Sequence, residues 1–165
     1  MINRVKNIFL PVLLLLSAAA DAQSPKYGQD AMEITLPNVN GDTLRLSSLR
    51  GKVVLLDFWA SWCVPCRAAN KELTRIYPKY KDKGFEIFSV SLDQNKDQWI
   101  AAIRKDGLEW ENHVSDLKGW NSEAAKLYGV RGIPAAFLLD KTGKIVATNL
   151  RGAELDMALE KLFAE

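Results

Sequence analysis

Apolar residues follow two different rhythms along this chain, and the change from one to the other falls at Cys63. Before it, Val53–Trp59 is a near-continuous apolar run. At that length it predicts a strand covered on both faces in the middle of a sheet. After it, Ala69, Leu73, Ile76, Tyr77 and Tyr80 recur at helical spacing and predict an amphipathic helix whose N-terminus carries the cysteine. Residues 85–92 predict a second buried strand, and residues 96–105 a helix with Trp99, Ile100 and Ile103 turned inward, stopped by Gly107. An extended piece near His113 and Val114 leads to a helix over 122–128, ended by Gly129. Strands over Ala135–Leu139 and 144–148 flank the turn residues 140–143, and a helix over 154–163 closes the pattern. Ahead of all this, residues 32–36 and 43–46 predict a short hairpin around the turn residues 37–42, with a further turn at 47–51. The order predicts an α/β domain: a mixed central sheet flanked by helices, with an N-terminal β-hairpin and a central αβ insertion.

Two features break the rhythm. Asp57 is a carboxylate inside the most apolar strand, on the same face as Val53, Leu55 and Trp59 by strand alternation. It must be neutralised, hydrogen-bonded or functional, since isolated burial of a charge is very unfavourable. The other is the start of the chain, where Arg4 and Lys6 precede an apolar run over 8–20 and then Ala20-Asp21-Ala22. This is the layout of an export signal, and the run falls short of the roughly 20 residues of a membrane-spanning helix. Residues 1–22 are therefore expected to be a signal peptide cleaved after Ala22, with one domain over 23–165 and a periplasmic location. No cysteine follows the apolar run, which argues against a lipid anchor.

Composition adds a limit. At 165 residues, 48% hydrophobic and 25% charged, with a net charge of +2, the chain has the makeup of one ordinary globular domain. Its basic residues are scattered among acidic ones, so no nucleic-acid partner is expected.

The two cysteines of the chain stand in FWASWCVPCRAAN, residues 58–70. A zinc site would need four ligands, and His113 is some fifty residues away with no second cysteine pair to help, so no metal is expected. A structural bridge between Cys63 and Cys66 would close almost no loop and remove little unfolded-state entropy. A redox pair makes use of every neighbour. Cys63 at a helix start is favoured as a thiolate, the nucleophile of disulfide exchange. Cys66, one turn on, is placed to attack a mixed disulfide on Cys63, and Pro65 stiffens the loop between them.

Residues 57–67, D-F-W-A-S-W-C-V-P-C-R, resemble the active-site segment of the thioredoxin superfamily. The expected export signal, the leading hairpin and residues 91–129 resemble its TlpA/ResA-like branch of secreted disulfide reductases. The likeness runs over residues 27–163, and Gly132-Ile133-Pro134 before a strand is a further part of the pattern. The resemblance implies a thioredoxin fold, a cis peptide bond at Pro134 beside the cysteines, and a backbone at Ile133 that pairs with the substrate chain. It implies no cofactor, and two partners: disulfide-bearing client proteins and a membrane thiol–disulfide electron donor. Many relatives carry a glutamate and a proline where this chain has Ala69 and Lys71. The helix is therefore expected to lack the proline kink and to leave acid–base duty to Asp57 alone.

Trp59 and Trp62 flank the cysteines and are candidates for lining a peptide groove, with Trp62 and Pro65 the expected substrate contacts. His113 is expected to be a surface or hydrogen-bonded histidine, and Arg67 and Lys71 a solvated helix face. Running the same chemistry backwards would make the protein a disulfide oxidase or isomerase. A peroxidase of the related peroxiredoxin type would place threonine or serine where this chain has Ala60. A non-catalytic binding module is disfavoured by the intact C-x-x-C.

Overall fold

A seven-residue strand with no exposed position lies at the centre of the molecule: β3, Val53–Trp59, is buried along its whole length. The computed structural model describes residues 24–164, so the expected signal peptide lies outside the described residues. On one side β3 pairs in parallel with β4, Phe85–Ser91, and β4 in parallel with β5, Asn112–Val114. On the other it pairs antiparallel with β6, Ala135–Leu139, which turns back into β7, Ile145–Thr148. The sheet order β5-β4-β3-β6-β7 is mixed, as the alternation of strand and helix patterns predicts.

Helix α1, Val64–Tyr80, returns the chain from β3 to β4. It buries Cys66, Leu73, Ile76, Tyr77 and Tyr80 against the sheet, and also Asn70, which its polarity had hidden from the apolar pattern. Helix α4, Gly152–Ala164, lies beside α1: Tyr80 donates to the Asp156 carboxylate at 2.9 Å and stacks on Phe163 at 5.8 Å. Helix α3, Glu123–Leu127, belongs to the opposite face, where Tyr128 at its end packs at 5.7 Å from Phe58 and 5.1 Å from Phe137. Helix α2, Lys96–Asp106, is capped by Asn95 and stopped by Gly107 at φ 66, a left-handed position glycine adopts without strain.

Several expectations shift. The hairpin strands shrink to β1, Thr35–Pro37, and β2, Thr43–Arg45. Leu46 and Leu49 are instead buried on a short 3-10 turn that closes the end of the sheet. In α2 the inward residues are Trp99 and Ala102, with Ile100 and Ile103 only half-buried. No proline interrupts α1 at position 71, but Pro78 stands in its last turn, where it removes one backbone donor and precedes a change to 3-10 geometry.

The segment ahead of the hairpin runs from one edge of the large sheet to the other. Gly28 donates to the Ile145 carbonyl at 2.8 Å, Ile145 returns a bond to Gln29, and Asp30 bridges Lys144 at the β7 edge. Met32 accepts the Tyr128 hydroxyl at 2.6 Å. Asn38 then bridges Val114 at the β5 edge, where Ser115 also donates to the Pro37 carbonyl.

His113 is neither exposed nor hydrogen-bonded. It is buried on β5, stacked at 5.4 Å on Trp110, and both ring nitrogens lack a partner. Loss of water around the ring pushes its pKa down to about 4, against a weaker upward pull from the carbonyls of Leu108 and Trp110. The ring is thus neutral in the folded protein at pH 7. Between about 6.5 and about 4 the unfolded chain takes up a proton that the folded one refuses, so the stability contribution of His113 is full above pH 6.5 and falls through that window. His113→Phe, which keeps the stack and removes the proton, should lose about 3 kcal/mol less than the parent between pH 7 and pH 4, measured by urea unfolding. Parallel curves for the two proteins would contradict this.

Candidate active site

Cys63 is the N-cap of α1, with extended backbone at φ −85 and ψ 101, and its Sγ accepts the Cys66 amide at 3.2 Å. One of the otherwise unpaired donors of the helix N-terminus therefore points at the Cys63 sulfur. Cys63 and Cys66 are joined as a disulfide, and both are buried, Cys66 more completely. Pro65 lies exposed between them in the first turn, where its missing N–H costs nothing.

The loop into Cys63 is held from three sides. Ser61 donates its amide to Asp93 at 3.0 Å and its hydroxyl to the same carboxylate at 2.5 Å. Ser91 adds a third bond to Asp93 at 2.6 Å. From the other direction Arg67 donates to the Ser61 carbonyl at 2.9 Å while gripping Asp106 through Nε and, at 2.7 Å, Nη2. Asn70 also donates to Asp106 at 3.2 Å. Arg67 is thus no solvated residue: it ties α1 and α2 to the cysteine loop, and its bonds with Asn70 hold the Asp106 carboxyl below its ordinary pKa despite desolvation. Lys71 remains exposed, as expected.

Asp57 sits on the α1-facing side of β3, whose neighbour Leu55 packs beside Ala69 and Leu73 of that helix. Burial pushes its pKa up to about 7, and the Arg151 guanidinium, with Nη1 4.0 Å from Oδ1, opposes the shift without cancelling it. Arg151 was not foreseen. Its Nη2 is buried without a partner, and it precedes α4, nearly a hundred residues from Asp57, where nothing local marks it. Across the sheet Asp57 stands level with Ser89 on β4, and Ser89 with His113 on β5, so three polar side chains form one transverse row. Ser89 accepts the Trp110 indole at 2.9 Å.

The Ile133–Pro134 bond is cis, and the Ile133 carbonyl oxygen is 3.8 Å from Cys63 Sγ. The structure thus brings Cys63, Cys66, Trp62, Pro65 and Ile133 to one end of the sheet. The two tryptophans separate: Trp59 is buried and serves as wall, whereas Trp62 is half exposed.

Residues 27–148 match the model of the AhpC/TSA family. The chain is 33% identical over 145 residues to the thiol-disulfide oxidoreductase ResA of Bacillus thuringiensis strain Al Hakam, covering 82% of each chain. Among solved structures it is 41% identical to a thiol-disulfide oxidoreductase from Bacteroides fragilis, with a TM-score of 0.76, covering 81% of this chain and 99% of that one. It is 37% identical to the thioredoxin domain of a thiol-disulfide oxidoreductase from Bacteroides vulgatus, with a TM-score of 0.79, covering 85% and 99%.

Burial of Asp57 sets a pH signature. Its folded pKa lies above the unfolded one, so the penalty on the ionised form is absent below about pH 4, grows as pH rises and levels off above about 7. Asp57→Asn should therefore gain stability relative to the parent across that window, by about 1 to 4 kcal/mol at pH 8, the lower end if Arg151 suffers from losing its anion. A variant less stable than the parent at pH 8 would make Asp57 an anchor instead.

Proposed function

The chain belongs to the AhpC/TSA family and to the TlpA/ResA-like branch of the thioredoxin superfamily, and is a thiol–disulfide oxidoreductase; we propose that it is an exported reductase of disulfides in client proteins. The carrying observation is the joined Cys63–Cys66 pair at the head of α1, with Cys63 as the N-cap and the less buried sulfur.

In the proposed cycle the dithiol form acts first. Cys63 thiolate attacks one sulfur of the client disulfide, the client S–S bond breaks, and the client leaves as one thiolate while its other sulfur is bonded to Cys63. Cys66 then gives up its proton and attacks Cys63 Sγ. The mixed disulfide breaks, the second client thiolate departs, and the Cys63–Cys66 bond forms. Two electrons pass to the client, whose thiolates take two protons from the enzyme or solvent. A membrane dithiol donor, oxidised in turn, restores the starting state. Asp57 supports the second step: a carboxyl pushed up to about 7 holds a proton acceptor at neutral pH on the side of β3 that faces α1. Trp62, Pro65 and the backbone of Ile133 with cis-Pro134 form the contact surface around Cys63. The peroxidase alternative finds no support at position 60, where a buried alanine offers no hydroxyl.

Export of the chain rests on the sequence at 1–22, and intact-mass analysis should give a mature protein that begins at Gln23. A full-length chain in the membrane fraction would reverse the assignment. Cys66→Ser should accumulate mixed disulfides on Cys63, recovered by acid trapping and non-reducing electrophoresis, while Cys63→Ser should not; equal trapping by both would unseat Cys63 as nucleophile. Asp57→Asn should slow release of the client about 100-fold, with the first attack nearly intact in rapid-mixing experiments. The direction of electron flow is read by alkylating thiols in living cells: a mostly reduced pair supports the reductase, a mostly oxidised pair the oxidase.

A further inference from the structure

Large apolar side chains exposed among the described residues are Tyr27, Trp62, Val64, Trp120 and Met157, and three of them gather at the cysteines. Trp62 and Val64, 52% and 78% exposed, are the chain neighbours of Cys63. Trp120, 48% exposed, comes from the loop after β5, and its ring centroid lies 6.3 Å from that of Trp62 with the planes inclined at 54°. Rings at that separation fall within the range of an aromatic pair, and each of the two keeps about half its surface exposed.

The loop that presents Trp120 is built rather than loose. Ser115 is buried, donates to the Ser91 carbonyl at 2.9 Å and accepts the Leu117 amide at 3.0 Å. Asp116 accepts the amides of Lys118 and Glu123. Leu117 is held at φ 55, a left-handed conformation that a branched aliphatic residue adopts under strain. Gly119 follows at φ 57, so closely packed that an added Cβ would stand 3.0 Å from Gln94 Cγ. Strain and four hydrogen bonds thus hold one indole in water. Folding draws little from that indole, since half its surface stays wet.

We propose that Trp62 and Trp120 form an aromatic shelf that receives an apolar side chain adjoining the cysteine of the client, in an extended stretch of polypeptide. The inference rests on the reading that Cys63 attacks client disulfides. The occupant follows from continuity and from the exposed apolar surface. The shelf begins at the residue before the nucleophile, Cys63 lies between exposed Trp62 and Val64, and from Phe58 to Cys66 the chain carries no charged side chain; Arg67 and Lys105 stand beside Trp62 on the α2 side. An aromatic or aliphatic flank buries surface against both rings. Trp120 thereby becomes a specificity determinant from outside the C-x-x-C segment.

Two peptides test this, each with one intramolecular disulfide and differing only in having Phe or Ser before the first cysteine. Reduction by the dithiol form should favour the Phe peptide about tenfold in kcat/KM, a ratio of the size one well-buried side chain supports. Trp120→Ala should bring that ratio to near one, and Trp120→Phe should keep most of it. Tyr27→Ala, an exposed aromatic residue of the N-terminal arm, should leave it unchanged. A parent with no preference, or a preference that survives Trp120→Ala, overturns the shelf. So does a Trp120-dependent dimer in sedimentation, which would mean that a second copy covers the rings. Reduction of 2-hydroxyethyl disulfide by the parent reports the cysteine chemistry separately. If the dithiol form reduces neither peptide but the disulfide form oxidises the reduced, dithiol forms of both, the reductase direction fails, and the Phe-to-Ser ratio of the oxidation rates still decides the shelf.

Discussion

A single buried carboxylate fixes where the chemistry takes place. Asp93, just past the end of β4, accepts the Ser61 amide, the Ser61 hydroxyl and the Ser91 hydroxyl, while Leu92 donates to the Trp59 carbonyl at 2.8 Å. These bonds join the ends of the two central strands and set the turn that delivers Cys63 to the head of α1. A buried carboxylate is tolerated when its lone pairs are met by donors, and three hydrogen bonds do so here. The Arg67–Asp106 pair then closes the loop from the helix side. With the turn held in this way, the Cys66 amide reaches the Cys63 sulfur as a consequence of backbone geometry, with no need for a charged side chain beside it.

The interior on the α1 side holds a second polar feature with the opposite character. Asp57, Ser89 and His113 lie level on three adjacent strands, and the charges of Asp57 and His113 are suppressed rather than satisfied. Desolvation raises the acid and lowers the base, so both ends of the row are largely uncharged around pH 6. The two groups act on stability in opposite directions over nearly the same pH range. The parent protein therefore shows a flatter profile than either group alone would produce.

What could be read in advance was local in the chain. Val53–Trp59 declared itself by lacking any polar alternation except Asp57, and Cys63 by preceding a helical rhythm. The mixed sheet and the redox pair follow from such patterns, and the thioredoxin fold from the resemblance of residues 57–67 to that superfamily. What escaped depends on partners distant in sequence. Asp93 looks like an ordinary residue after a strand, Arg67 like a solvated helix position, and His113 like a lone surface imidazole. Their roles come from Ser61, Asp106 and Trp110, contacts that tertiary packing alone creates. Arg151 and Trp120 carry no local signature at all. The hairpin was overextended for a related reason: Leu46 continues the alternation begun by Leu44, yet a 3-10 turn brings it inward together with Leu49.

The segment that crosses from Ile145 to Val114 has a consequence for self-association. Each outer strand of a sheet exposes a ladder of unpaired amides and carbonyls on which a foreign strand can crystallise growth. Here one stretch of the same chain hems both margins, taking up β7 with Gly28, Gln29 and Asp30 and β5 with Pro37 and Asn38. A polypeptide arriving in extended form finds each margin partly taken, β7 at Ile145 and β5 at Val114. The hem thus lowers the tendency of one copy to add its edge to another.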